Sequence, residues 1–374
     1  MNADETDIQR RRLLKTGAAM AMVAGSGLAL TACEPASAPA AKPEISTPST
    51  SNKRAPLMSL NIVHFEYQSR AQWGVIRGTQ ITPIPGEFLT TGDFIRGTTL
   101  VELAALEGST LERSAVKLLS PVTHNQQFVC QGANYRQHMI ESGMDPDEKT
   151  YNMIFTKASS CITAADSDVI KPGIVQFLDY EIELGLVLRK TIKGAVTVTD
   201  KNLHEYVAGA VIVNDYSARD VQIPQMQFYK GKSFRTFGPV GPWLTLLDAS
   251  SIAALKNLQL KLTVNGEVRQ QDSSANLVFG PAETLSELST VQDFDAGDLL
   301  ATGTPAGCAL SVPSPAKQKI GALLPEKTKW DLFFKVQSQR RQYLRNGDLV
   351  EASIRAADGK IDLGVQRNRI VAET

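Results

Sequence analysis

The chain has no excess of either charge: 39 Lys and Arg stand against 39 Asp and Glu over 374 residues. A polyanion partner needs a surplus of cations, so nucleic-acid binding is not expected. Cysteine is scarce, four in all, which excludes a disulfide scaffold. With 43% apolar and 21% charged residues, the composition fits neither a disordered acidic chain nor a polytopic membrane protein. No internal repeat is evident. The Gly231-Lys232-Ser233 triplet lacks the upstream glycine of a phosphate-binding loop. The length allows roughly two domains.

What is present begins with an address. Arg10, Arg11, Arg12, Leu13, Leu14 and Lys15 precede an uncharged stretch, 16–32, rich in Ala, Gly and Met. That stretch is short and weakly hydrophobic for a spanning helix, which wants about 20 strongly apolar residues. A basic head, a modest apolar core and small residues before a cut make a signal peptide over 1–33, and the arginine pair makes it resemble a twin-arginine signal. Leu30-Thr31-Ala32-Cys33 resembles a lipobox, so Cys33 is a candidate lipid anchor. The expectation is a bacterial protein exported to the periplasm, free or membrane-tethered. Without 1–33 the net charge becomes −1, and Cys130, Cys161 and Cys308 remain. Three is odd, so at least one thiol is unpaired within the chain, and Cys130, in an apolar run, is expected to be a buried free thiol. Residues 34–56 are dominated by Ala, Pro, Ser and Thr and read as a linker that cannot bury a core.

From Leu57 the texture changes. Ile62 to Tyr67 and Trp73 to Ile76 read as two strands joined by a polar turn, 81–84 as a third and 99–107 as a helix. Residues 57–120 are therefore expected to be a small α/β domain. Beyond Pro121, apolar runs recur at 127–131, 182–188, 210–213, 258–264, 299–301 and 349–354, separated by turns such as Asn265-Gly266, a hairpin signal. Strands and helices do not alternate as in a doubly wound sheet. The expected class is α+β, a mixed β-roll with few helices over 121–374.

The strongest chemical signal lies in Asp179-Tyr180-Glu181-Ile182-Glu183-Leu184. On a strand Glu181 and Glu183 share one face, while Ile182, Leu184 and Leu186 share the other. Adjacent carboxylates in an apolar strand repel and cost desolvation, and a divalent cation relieves both; the alternative is that both face solvent. Oxygen-only ligands select Mg²⁺, Mn²⁺ or Ca²⁺. Asp215, at the mouth of the run 210–213, is a candidate third ligand or simply a turn residue. His138 and Glu141, three apart on a helical segment, could pair as an oriented general base or stand on the surface. Lys232 could stabilise an oxyanion or decorate a basic loop.

Taken in order, Asn134-Tyr135-x-x-His138-x-x-Glu141, Asp179-Tyr180-Glu181-x-Glu183-Leu184, Asn214-Asp215-x-x-x-Arg219-Asp220-x-Gln222, Gly231-Lys232-Ser233-Phe234, Gly241-Pro242-Trp243 and Thr302-Gly303-Thr304-Pro305-x-Gly307 resemble the fumarylacetoacetate hydrolase family over about 57–374. The resemblance implies the β-roll fold of the fumarylacetoacetase C-terminal domain and a homodimer. It implies Mg²⁺ or Mn²⁺, with Ca²⁺ less suited, held by Glu181, Glu183 and Asp215. It implies a His138–Glu141 dyad that activates water, Lys232 facing the substrate's oxygens, and Arg219, Gln222 and Thr304 as substrate contacts. The implied substrates are 2-oxo acids, acylpyruvates among them, whose neighbouring carboxylate and carbonyl oxygens chelate a hard ion. The leading expectation is hydrolysis of a C–C bond in such an acid. Isomerisation of the hydroxymuconate type and decarboxylation use the same enolate chemistry and stay open, as does a solute-binding lipoprotein without turnover.

Three features depart from the family pattern. Residues 309–343 are longer than the usual link, and contain Trp330-Asp331-Leu332-Phe333-Phe334 among many Lys and Arg; they could reshape the pocket rim or a subunit contact, or form a solvated insert. Cys308 stands where an aliphatic residue is usual, and an accessible thiol there would be oxidisable. The export signal is the third, because the family is mostly cytosolic.

Overall fold

A computed structural model describes residues 59–148 and 151–373. The expected signal peptide and linker, with Cys33, lie outside the described residues. The centre of the fold is the strand Ile182–Leu188, buried along its whole length. Ile182, Leu184, Leu186 and Leu188 enter one hydrophobic cluster, while Val187 enters a second on the opposite face. Period-two alternation is thus kept, but both faces are covered, so no position is left for a solvent-facing carboxylate.

Val207–Asn214 runs antiparallel beside it, with Ile182 opposite Asn214 and Glu183 opposite Val213. On its other edge lies Leu299–Ala301, which pairs in parallel with Phe128–Gly132. The sheet is therefore mixed, and 13 strands among the described residues join it. A second sheet of five strands is built on the hairpin Leu258–Val264 and Glu267–Ser273. Its turn is Asn265-Gly266, both at positive φ (50° and 83°), the geometry an Asn-Gly hairpin provides. The runs at 182–188, 258–264 and 299–301 form strands over those bounds. The helix expected at 99–107 is shorter, Leu100–Ala104, closed at its start by a capping box between Thr99 and Glu102.

Ser59–Tyr67 pairs antiparallel with Leu244–Leu247, placing Ile62 opposite Leu244. Lys117–Leu119 returns onto Ser59–Tyr67. The segment read as a small N-terminal domain is therefore continuous with the main sheet, strand by strand, and the two share one compact unit, Arg54–Thr374. The expected insert holds two helices, Pro315–Ala322 and Glu326–Gln337. Phe333 and Phe334 pack on Phe177, at centroid distances of 6.2 and 5.5 Å. Among the described residues no helix is long and apolar enough to cross a membrane.

Candidate active site

Register alone brings the carboxylates together. In the antiparallel pair Ile182–Leu188 and Val207–Asn214, Glu183 faces Val213, and two residues outward on the same face Glu181 meets Asp215. The Asp215 amide donates to the Glu181 carbonyl at 2.8 Å. Asn214 fixes the other side, its Oδ1 accepting from the Glu181 amide at 2.9 Å. All three carboxylates are buried, and one oxygen of each lies within 4.8 Å of the others.

Three cations answer them. Lys232 Nζ donates to Glu181, to Asp215 Oδ2 at 2.7 Å and to Ser217 Oγ at 2.7 Å. Lys157 Nζ donates to Asp215 Oδ1 at 2.5 Å and to the Phe237 carbonyl at 2.8 Å. Arg219 donates to Glu181, to Asp179 Oδ2 at 2.8 Å and to Gln222 Oε1 at 2.7 Å. Asp179 also accepts the amides of Ala309 and Leu310.

The titration pattern follows from these contacts. Burial alone would raise the Glu181 carboxyl, but Arg219, Lys232 and His138 outweigh it and hold it well below the usual range. Burial pushes Glu183 up, and Asp215 and Glu181 push it further. Its Oε2 accepts from the Gly303 amide at 2.9 Å, and no ion pair reaches it among the described residues. Burial opposes the charge on Lys157 and Lys232, yet Asp215 for Lys157, and Asp215 with Glu181 for Lys232, keep both above the ordinary lysine value.

These donors suit a hard divalent ion. Three buried carboxylates supply only oxygen, and Glu183 has no cation of its own, the position a metal charge would fill. Beside them opens a cavity of about 190 Å³. His138, Lys232, Arg219, Gln222 and Thr304 all line it, as do Glu181, Glu183 and Asp215. Leu310 and Val312 add apolar wall from the start of the insert, facing Met144, Met153, Phe155 and Phe228.

The remaining residues named from sequence are placed as follows. His138 lies on the helix Arg136–Glu141. Burial lowers its pKa from the ordinary histidine value. Its Nδ1 is buried without a hydrogen-bond partner. Glu141 does not hold that nitrogen; its Oε2 accepts from the Gly307 amide at 3.1 Å instead. Thr304 Oγ1 donates to the Ile182 carbonyl and accepts from Gln270 Nε2. Lys157, Asp179 and Ser217 belong to the cluster although no role was assigned to them from sequence. The one available signal for Lys157 is a single cation closing the apolar strand Met153–Lys157. All three remaining cysteines are free, Cys130 and Cys161 buried and Cys308 half-buried.

Residues 127–371 match the family model described as fumarylacetoacetate (FAA) hydrolase C-terminal. The chain belongs to the fumarylacetoacetate hydrolase family. Enzymes of this family commonly use divalent metals, in line with the carboxylate cluster. Oxaloacetate tautomerase YisK of Bacillus subtilis is 37% identical over 205 residues, 54% of this chain and 66% of that protein. The structure of fumarylacetoacetate hydrolase from Exiguobacterium antarcticum is 29% identical, with a TM-score of 0.63 over 84% of this chain and all of that one. A 2-hydroxyhepta-2,4-diene-1,7-dioate isomerase from Mycobacterium marinum shares the fold at 22% identity, with a TM-score of 0.61 over 84% of this chain and 99% of its own. Family members thus include hydrolases, isomerases and tautomerases.

Proposed function

We propose that the protein is a Mg²⁺- or Mn²⁺-dependent enzyme that makes and quenches the enolate of a small 2-oxo diacid, interconverting enol and keto forms of an oxaloacetate-like substrate. The observation that carries this reading is the His138 ring, opening on the same small cavity as the carboxylate cluster, with no hydrogen-bond partner on its buried Nδ1. Proton transfer at carbon needs one neutral base and a stabilised enolate. Hydrolysis needs, in addition, a water held and activated for attack. The size of the cavity supports an acid of about four to six carbons, below the usual range for drug-sized ligands. The likeness to an oxaloacetate tautomerase supports the same choice.

Glu181, Glu183 and Asp215 would hold the ion, which when bound supplies Lewis acidity toward chelating carboxylate and carbonyl oxygens. The chain's own residues do the rest. His138 takes the proton from the carbon next to the carbonyl in one direction and returns it in the other, while the enolate oxygen gains its proton from, or loses it to, solvent at the cavity mouth. Lys232 keeps its proton and holds fixed positive charge beside the developing enolate oxygen. Arg219 has donors on Asp179, Glu181 and Gln222, so it positions Glu181 as well as lining the cavity. Gln222 and Thr304 are the polar groups left to touch substrate. Met144, Met153, Phe155 and Phe228 exclude water from the carbanion. The Arg10-Arg11-Arg12 head and Cys33 support an exported, membrane-tethered form, and the family resemblance supports a homodimer.

C–C bond hydrolysis is the second reading. His138 as a general base toward water favours it, as does the likeness to a fumarylacetoacetate hydrolase. Product analysis in ¹⁸O-water separates the two on oxaloacetate and acylpyruvates. Metal-dependent loss of the enol, with hydrogen exchange at the substrate carbon and no new carboxylate, is expected. Two acids, one carrying solvent ¹⁸O, would overturn the tautomerase reading in favour of hydrolysis.

A further inference from the structure

A second donor set lies against the first and differs from it in kind. His138, Glu181 and Cys308 bring a nitrogen, an oxygen and a sulfur within 4.8 Å of one another. Cys308 Sγ is 3.7 Å from Glu181 Oε1. A thiolate and a carboxylate oxygen on one tetrahedral zinc stand about 3.5 Å apart, from bond lengths of about 2.3 and 2.0 Å. The contact is therefore already near the edge length of such a site. The buried Nδ1 of His138 has no partner, an independent sign of a donor atom with nothing to serve it.

We propose that His138, Cys308 and Glu181 form a site for Zn²⁺ or a similarly thiophilic ion, distinct in chemistry from the oxygen-only Glu181, Glu183 and Asp215 set. Thiolate and imidazole favour Zn²⁺ over Mg²⁺, whereas three carboxylates alone do not. His138 and Glu181 of this set both line the cavity. Coordination displaces the thiol proton of Cys308. Arg219 shares Glu181 Oε1 with the incoming ion; a carboxylate oxygen has lone pairs for both.

Two consequences follow from the shared residues. Glu181 belongs to both sets, so Zn²⁺ weakens binding of the hard ion, and the reverse holds equally by linkage. His138 is withdrawn from proton transfer while it ligates zinc, so Zn²⁺ stops turnover. The second consequence rests on the role proposed for His138; the binding site itself does not.

The test is therefore spectroscopic first. The protein loaded with Co²⁺ as a zinc surrogate should show thiolate-to-cobalt charge-transfer absorbance in the near ultraviolet, and Cys308→Ser should abolish it. Zn²⁺ titrated in the presence of saturating Mg²⁺ should bind at one ion per chain. Binding to C308S should be at least about 50-fold weaker, the share of one ligand among four in a structural zinc site. C308A serves equally where C308S does not fold. A wild-type protein without a thiolate band, or Zn²⁺ binding equal in all three proteins, would overturn the site. Zinc that binds through Cys308 yet leaves turnover unchanged would instead contradict the role of His138, which distinguishes the two failures.

Discussion

Glu183 is the carboxylate with the least support at the site: one backbone amide at Oε2, and two other carboxylates beside it. Its pKa is raised, so without metal the folded protein keeps a proton there that the unfolded chain releases near the ordinary value of 4.5. The folded state then binds more protons than the unfolded one, and stability falls as pH rises from that value toward the raised one. Glu181 has the opposite sign. Its stabilisation is present above the ordinary value and is lost as pH falls toward its lowered pKa. A divalent ion replaces the Glu183 proton, so the gain in Tm from Mg²⁺ should grow as pH rises through the window of Glu183. A gain independent of pH would remove Glu183 from the ligand set. His138→Ala should lower turnover at least about 100-fold while Mg²⁺ affinity, read by calorimetry, stays nearly unchanged. Lys157→Met should destabilise by about 3–5 kcal/mol in urea titrations, because it leaves Asp215 with one buried cation fewer. Glu181, Glu183 and Asp215 were legible in sequence through the ordered motifs, because the local pattern alone left a solvent-facing pair and a turn residue open. Lys157 was not, because its partners, Asp215 and the Phe237 carbonyl, lie 58 and 80 residues away and only the sheet brings them together. Glu141 shows the reverse limit: helical spacing puts it near His138, but the Gly307 amide takes its carboxylate.

Strands legible in sequence were those with continuous apolar runs, such as Ile182–Leu188 and Leu299–Ala301, since burial on both faces requires such composition. The insert was harder to read. Its charged residues suggested solvated surface, yet the polar faces of Pro315–Ala322 and Glu326–Gln337 accompany an aromatic edge that packs on Phe177. Gln337 ties the two ends of the insert, with Nε2 donating to the Ser311 carbonyl and Oε1 accepting from Tyr343. Leu310 and Val312 meanwhile reach the cavity. Phe334→Ala should cost about 1–3 kcal/mol, less than a full core truncation because the ring is only partly buried. It should raise KM more than it lowers kcat, through the cavity wall at Leu310 and Val312. An unchanged KM would mean that the insert does not brace the pocket. Gly209 lies where Val207–Asn214 pairs with Leu244–Leu247, the strand that in turn pairs with Ser59–Tyr67: a Cβ there would lie 2.1 Å from the Thr245 carbonyl oxygen, so any side chain would force this pairing to shift.

At the scale of the whole molecule, the fold places a compact charge cluster where two central strands end, and a metal bound there would act on both stability and chemistry. Mg²⁺ at about 100 times its Kd should add about 2.7 kcal/mol to unfolding free energy, and EDTA should remove it. We propose that Glu181, Glu183 and Asp215 hold the ion on which enol–keto proton transfer of a small 2-oxo diacid depends. The most direct measurement follows the enol absorbance of oxaloacetate with purified wild-type protein and with Glu183→Gln, in Mg²⁺, in Mn²⁺ and in EDTA. The account predicts rapid decay with wild type in either metal, and none above background in EDTA or with the variant. Decay equally fast in EDTA, or in the variant, would contradict it.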